Sequence, residues 1–175
     1  MPSYRDIDPA SPADIECLHR WGHDDSIRHL FQRFKDEAEY QRSMSLEDMT
    51  AALRKSLAKG KVIRLIEHEG QVVGEVSLEI DCEAIWRPLP GTAWFGIVIG
   101  EKEAWGQGIG REAMLYIEDL ARERGATQAE LGVFEFNDRA RTLYESLGYQ
   151  AITETKDFTW WKGKTWTDIR LAKRL

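Results

Sequence analysis

"AWGQGIGREAM", residues 104–114, sets Gly106, Gly108 and Gly110 at alternate positions just ahead of a helix-like pattern. Glycine loses more backbone entropy on folding than any other residue, so this spacing marks a backbone that something approaches closely. A strand that ends in such a turn and opens a helix leaves main-chain N–H groups unpaired at the positive end of the helix dipole, which makes an anion site. Two phosphate loops can be tested against the spacing. GxxxxGK[ST] fails, because no Lys-Ser or Lys-Thr follows the glycines. GxGxxG fails too, because the spacing differs and that motif sits in an early strand–helix–strand unit, whereas three helical stretches come first here. Read by itself, the segment leaves one alternative, a tight turn with no ligand.

The flanks continue the pattern. "TAWFGIVIG" (92–100) is a near-continuous apolar run, which predicts a central strand buried on both faces. After the turn, Ala113, Met114, Ile117, Leu120 and Ala121 make the stripe of a helix over 110–124, with Arg122 and Arg124 near its negative end and Gly125 as the stop. A strand over 128–136 follows, then a short helix capped by Asn137 and ended by Gly148, then a hairpin over 150–172 turning at Lys162-Gly163-Lys164. Upstream, "KVIRLIEHEGQVVGEVSLEI" gives strands 62–67 and 71–80, the second alternating Val76, Leu78 and Ile80 with Glu75, Ser77 and Glu79. "CEAIWRPLPG" (82–91) reads as a loop. Before these, a short strand at 4–8 is predicted, then a helix over 12–21 opened by Ser11-Pro12-Ala13-Asp14 and stopped near Gly22. A second helix is predicted over 25–40 from Ile27, Leu30, Phe31 and Phe34, and a third opens at Ser45 and Asp48 and ends before Gly60. This order is that of a mixed α/β sheet in one domain.

The 175 residues suffice for one domain with its own core, and 42% hydrophobic with 31% charged residues is the composition of a soluble globular chain. No apolar run approaches the roughly 18 residues of a membrane span. "MPSYRDIDPA" is polar and acidic, unlike a secretory signal, so the expected location is cytoplasmic. A net charge of −6 without a basic stripe disfavours nucleic acid as a partner. Cys17 and Cys82 are far apart and outside any CxxC pattern, so both are expected reduced and buried. His19 and His23 have i,i+4 spacing, but Gly22 lies between them and nothing nearby completes a ligand set, so no metal is expected.

"NDRARTLYESLGY" (137–149) carries Asn137, Ala140, Tyr144, Glu145, Gly148 and Tyr149. Together with the glycine turn it resembles the GNAT superfamily of acyl-CoA-dependent N-acetyltransferases, whose motifs run [RQ]-x-x-G-x-[GA] after a central strand and N-x-x-A-x-x-x-Y-x-x-x-G-[FY] on a later helix. The resemblance covers nearly the whole chain. It departs at the Arg/Gln position, which is Trp105; "W-G-x-G-x-G" is nonetheless similar to the branch of ribosomal-protein N-terminal and spermidine acetyltransferases, as is "HRWGHDDSIRHLF" (19–31). The resemblance implies one GNAT-like domain over 1–175, of mixed α+β class. Its central, mostly antiparallel sheet of about six to seven strands would be flanked by helices and splayed around the cofactor. It implies acetyl-CoA as cosubstrate without a metal, with the pyrophosphate on the N–H groups of Gln107 to Gly110 in a turn formed by Trp105, Gly106, Gly108 and Ile109. The pantetheine arm would pair with the backbone around Ile97 and Ile99. Arg111 and Arg141 would meet the phosphates, and Asn137 would be a cofactor contact as well as a helix cap.

The implied reaction is attack of an amine on the acetyl thioester. An alkyl ammonium has a pKa of about 10.4 and the leaving thiol one of roughly 8.5, so a base and an acid both help. On spacing alone Tyr144 reads as core, in a stripe with Ala140, Leu143 and Leu147; the resemblance makes it the acid. The family's glutamate twelve residues before the tyrosine is absent, since that position is Gly132. Glu75, Glu79 and Asp81 share a strand face and could supply the base; Glu79 is favoured, or a water relay. The segments that would build the acceptor site hold Asp24, Asp25, Asp36, Glu37, Asp81, Glu83, Trp86, Trp160 and Trp161. Acid plus aromatic suits a cationic amine, a polyamine, a protein N-terminus, an aminoglycoside or another small amine. The tryptophans could instead be cross-strand pairs of a packed hairpin. That hairpin's hydrophobic edge could make a homodimer. The competing reading is a non-catalytic acyl-CoA-binding module with the same fold.

Overall fold

The structure is a computed structural model that describes residues 1–175. One seven-stranded sheet runs through it: β1 (Ser3–Asp6), β2 (Val62–His68), β3 (Gln71–Ile80), β4 (Thr92–Ile99), β5 (Gln128–Phe134), β6 (Gln150–Trp161) and β7 (Lys164–Arg174), in spatial order β1-β2-β3-β4-β5-β7-β6. Every neighbouring pair is antiparallel except β4 and β5. Five helices flank it: α1 (Pro12–His23), α2 (Glu37–Gln41), α3 (Leu46–Ala58), α4 (Ile109–Glu123) and α5 (Asp138–Ser146). No helix is long and apolar enough to cross a membrane.

The alternation read in β3 sorts the two layers. Val76 and Leu78 point to the face carrying α4, where Phe95, Met114, Ile117, Leu131 and Tyr144 complete the main core. Glu75, Ser77 and Glu79 point to the other face, because their cross-strand partners Leu65 and Ile63 belong to the smaller core with Ile7, Ile15 and Leu53 beneath α1 and α3. The caps expected from sequence are present: Ser11, Ser45 and Asn137 each accept a backbone N–H of the helix they open.

The sheet is not continuous in the middle. β4 and β5 pair only over Thr92–Trp94 and Gln128–Glu130, whereas β3 stays paired to β4 as far as Ile99 and β5 stays paired to β7 along its whole length. Beyond Trp94 the two central strands splay apart. The expectation of a strand buried on both faces therefore fails for the second half of β4: Ala93 and Phe95 are buried, while Gly96 to Ile99 are half-buried against the gap.

Two helix boundaries also differ from expectation. Gly22 does not stop α1; it is buried inside the helix, which runs on to a cap at extended Asp24. The helix expected over 25–40 is reduced to one 3-10 turn, Arg28–Leu30, and the short α2. Long-range pairing overrides its helical spacing. The Phe34 N–H donates to Thr159 Oγ1 at 3.1 Å and the Phe34 C=O accepts from the Trp160 N–H at 2.7 Å, so the chain lies along β6 instead of coiling. Arg28 is buried there, its guanidinium 4.0 Å from the Tyr40 ring centre and ion-paired to Asp25. Cys17 and Cys82 are free thiols, both half-buried rather than buried.

Candidate active site

The gap between β4 and β5 is the floor of a cleft of about 840 Å³, lined also by the glycine turn, α5 and Ile27, Leu30 and Phe31. Gly106 and Gly108 have φ of +78° and +81°, the left-handed region that disfavours any side chain. No protein atom lies within 4 Å of where a Cβ would stand at either, so conformation and not packing selects glycine, and the space over the turn is open cleft. Gly110 is there for packing, since its Cβ would come 3.3 Å from Leu143 Cδ2 where α4 meets α5. The main-chain N–H groups of Gln107, Gly108, Ile109 and Gly110 find no acceptor in the protein, and α4 opens without a side-chain cap. These donors and the helix dipole converge on one spot.

The free edge of β4 supplies the next set of groups. The Thr92 C=O accepts from Asp81 N–H and the Gly100 N–H donates to Val73 C=O, both at 2.9 Å, so even-numbered residues of β4 turn their main chain toward β3. The alternation of an antiparallel ladder then turns Phe95, Ile97 and Ile99 toward the gap. Trp105 closes the far end: its indole N–H donates to the Ile99 C=O at 2.8 Å, and the Arg139 guanidinium lies 4.6 Å over its ring. Its side chain thus latches the glycine turn to the end of β4.

Tyr144 reaches the same cleft from α5. It is 6% exposed, and burial alone, without a hydrogen-bond partner, pushes its phenol further above the ordinary value of 10.0. Asn137 lines the cleft with both ends of its amide engaged. Its oxygen caps α5 through Ala140 N–H at 3.3 Å and its nitrogen donates to Leu30 C=O at 3.4 Å, tying α5 to the 3-10 turn.

Of the three carboxylates on β3 and its end, the structure brings Glu75 into the cleft and leaves Glu79 and Asp81 outside. The register gives the reason. Glu79 faces Trp94, where β4 and β5 are still hydrogen-bonded; the gap opens only beyond, beside Ser77 and Glu75, the partners of Gly96 and Val98. Asp81 is taken up by the β3–β4 loop, accepting the Gly91 and Thr92 N–H groups. Surrounding protein raises the Glu75 carboxyl above the ordinary glutamate value, opposed by the charge of Lys61, which also lines the cleft. Part of Glu75 stays open to solvent, so it is ringed by protein yet in touch with water.

Gly132 has a local cause. A Cβ at that position would lie 2.8 Å from Asp168 Oδ1 and 3.3 Å from Trp94 Cη2, and Asp168 is buried and paired with Arg170 at 2.5 Å. A side chain there would collide with this pair, so the carboxylate beside β5 comes from β7. Sequence reasoning missed it because nothing local links residues 132 and 168.

Other site residues also separate. Arg111 lines the cleft; Arg141 does not, because helical spacing turns its guanidinium onto Glu145 at 2.9 Å. Arg139, missed from sequence, takes the place on the cleft side. The Gln107 side chain folds back to Glu103 C=O, leaving only its main chain toward the turn. None of the nine acidic and aromatic residues expected around the acceptor lines the cleft. Asp25 pairs with Arg28, Asp36 caps α2, and Trp161 stacks on His29 with ring centres 4.1 Å apart. His19 and His23 stack at 4.1 Å and bond the Met44 main chain from both sides, which fastens α1 to the segment before α3.

A family profile described as "Acetyltransferase (GNAT) family" matches residues 25–149. The chain belongs to the GNAT acetyltransferase family. This GNAT chain is 39% identical over 51 residues to a thialysine N-epsilon-acetyltransferase of Bos taurus; the match covers 29% of this chain and 30% of that protein's length. Its fold is similar to that of the ribosomal-protein-alanine N-acetyltransferase of Brucella melitensis, with a TM-score of 0.78, 20% identity and 99% of each chain covered. It is equally similar to the spermidine N-acetyltransferase of Vibrio cholerae solved with CoA and spermine, with a TM-score of 0.78, 18% identity, and 99% of this chain and 95% of that one covered. The seven-stranded, mostly antiparallel sheet with its central splay is the GNAT architecture that the two motifs led us to expect.

Proposed function

We propose that the chain is an acetyl-CoA-dependent N-acetyltransferase acting on a primary amine. One observation carries the reading: four acceptorless main-chain N–H groups, from Gln107 to Gly110, face the same cleft as the unpartnered phenol of Tyr144, with the free edge of β4 between them. A diphosphate fits the first, an extended amide-bearing arm the second, and a leaving group that needs a proton the third. When bound, acetyl-CoA supplies a thioester that a neutral amine attacks, giving an acetamide and a thiol.

The chain's own groups then have separable tasks. The N–H groups of residues 107–110 hold negative charge, with the guanidinium groups of Arg111 and Arg139 on the same cleft. The edge of β4 orients the reacting carbonyl and offers it an N–H. Burial keeps Tyr144 protonated at any working pH, so it always presents a donor to sulfur as charge develops there; that hydrogen bond, and not free ionisation of the phenol, is what lowers the barrier. Glu75 is the base. A carboxyl raised above its ordinary value is a better proton acceptor than a surface glutamate, and its contact with water lets it draw a proton from the ammonium directly or through one water.

Calorimetric titration of the chain with acetyl-CoA, followed by thiol release across an amine panel, tests the reading. Binding with turnover is the expected result. No affinity for acetyl-CoA in folded protein removes it, and tight binding with no turnover on any amine makes the chain an acyl-CoA-binding module. Glu75→Gln should abolish the acid limb of the pH–rate profile, a limb expected above the glutamate value of about 4.3; an unchanged limb would return the base to Glu79 or to water.

A further inference from the structure

A second cavity opens from the cleft on the opposite side of Glu75. It measures about 220 Å³ and lies between α1, α3 and the face of the sheet that carries Glu75. Phe31, Glu75 and Val98 line both cavities, so the two adjoin at these side chains. Its other walls are mainly apolar, with Leu18 and Trp21 from α1, Met49 and Leu53 from α3, and Ile63 from β2. Gln32 and Ser56 are its neutral polar groups, and Glu75 is its one ionisable side chain. A dry cavity of about 150 Å³ lined by such residues holds a benzene ring, so there is room here for a ring and a short linker.

Resting on the acetyltransfer reading of the cleft, we infer that this cavity is the acceptor subsite and that the acceptor is a monoamine on an apolar body, such as an arylalkylamine or a branched alkylamine, and not a polyamine. The geometry sets one carboxylate at the mouth of an apolar chamber, on the side where the thioester would arrive. A single ammonium meets Glu75 and gives it a proton; the apolar body fills the chamber and displaces water. A polyamine would carry a second and a third cation past Glu75 with no other carboxylate on the cavity wall to receive them, and against apolar walls those charges gain nothing that an apolar body would gain. The acids of the early helical segments are occupied elsewhere: Asp24 with Ser26, Asp25 with Arg28, and Asp36 as a helix cap. Lys61 beside Glu75 adds a repulsive charge for a polycation at the cleft side.

The test uses the full chain, acetyl-CoA, and four probes: 2-phenylethylamine, 3-methylbutylamine, putrescine and spermidine. We expect kcat/KM for 2-phenylethylamine to exceed that for spermidine by roughly 50-fold or more, the scale of one uncompensated charge. Ala52 is exposed on α3 with its side chain on the chamber wall. Ala52→Phe should raise KM for 2-phenylethylamine at least about tenfold by filling the cavity, with coenzyme A affinity and Tm unchanged. Spermidine or putrescine turned over faster than the apolar amines overturns this inference and leaves acetyltransfer standing. Calorimetric binding of 2-phenylethylamine to the coenzyme A complex, lost in Ala52→Phe but without turnover of any amine, upholds the subsite and refutes the catalytic reading. No binding of either apolar amine overturns the subsite.

Discussion

Tyr144→Phe separates a catalytic phenol from a core tyrosine, because the two roles predict different pairs of numbers. The ring is 6% exposed and packs in the main core with Leu147 and Tyr149, so phenylalanine keeps nearly all of its burial. The hydroxyl has no hydrogen-bond partner in the protein, so its removal orphans nothing; the stability change should stay within about 0.5 kcal/mol. For a chain of this size that is a Tm shift of about 1–2 °C. On the barrier the change should be large. Loss of a general acid costs roughly 10²-fold or more in turnover, equivalent to about 2.7 kcal/mol. The assay is thiol release at saturating acetyl-CoA and amine, paired with calorimetry for coenzyme A and a thermal melt. The expected triad is kcat down about 100-fold, coenzyme A affinity unchanged and Tm unchanged. Turnover within about twofold of wild type would remove Tyr144 from the chemistry. A fall in kcat accompanied by a loss of Tm of more than about 5 °C would make the residue part of the core and no more.

Gly108→Ala forces a side chain to φ +81° at a cost of about 1–2 kcal/mol, so Tm should fall by roughly 2–8 °C and coenzyme A affinity should fall with it; both unchanged would mean the turn tolerates another geometry. Gly100→Ala places a Cβ 2.2 Å from Trp21 Cε2, and Trp21 is fully buried with its N–H held by Glu101, so a loss of about 3 kcal/mol in urea unfolding is expected. Asp14 is buried and accepts two 2.8 Å bonds from Arg5, which holds its carboxyl below the ordinary range. Because the folded value lies below the unfolded one of about 3.9, that stabilisation is complete above this pH and is lost as pH falls through the folded value. Asp14→Asn should therefore cost about 1–2 kcal/mol at pH 7, reduced by the solvent exposure of Arg5, and the gap to wild type should narrow below about pH 4.

The absence of a side chain at position 132 has a similar physical basis. Asp168 and Arg170 project from β7 across β5 at the height of Gly132, the guanidinium 4.4 Å over the Trp94 ring and donating to the Ala84 C=O. The strand, the tryptophan and the β3–β4 loop are joined by one ion pair whose Asp168 is buried and whose Arg170 is half-buried, and Glu130 holds the same loop through the Trp86 and Arg87 N–H groups. The β3–β4 loop is thereby anchored beside the cleft without any of its own acids reaching in.

What the sequence determined by itself was the chemistry of its turns, caps and strand faces. The alternate glycines at 106, 108 and 110 announce a backbone open to close approach whatever the rest of the chain does, Ser11, Ser45 and Asn137 cap their helices within three residues, and the period-2 pattern of β3 fixes which of its side chains share a face. These signals suffice for the order of the strands and for a glycine turn ahead of α4, and the pairing of that turn with Tyr144 suffices for the family. The tertiary structure decided the rest, because the deciding distances join residues far apart in the chain. The segment over 25–40 has the spacing of a helix, but a backbone exchange with β6 outbids it. Glu75, Glu79 and Asp81 are equivalent on one strand face; only the point at which β5 leaves β4 distinguishes them, and no property of residues 75–81 records where that point falls. Arg139 and Arg141 are likewise alike in sequence, and the rotation of α5 against the glycine turn sends one to the cleft and the other to Glu145.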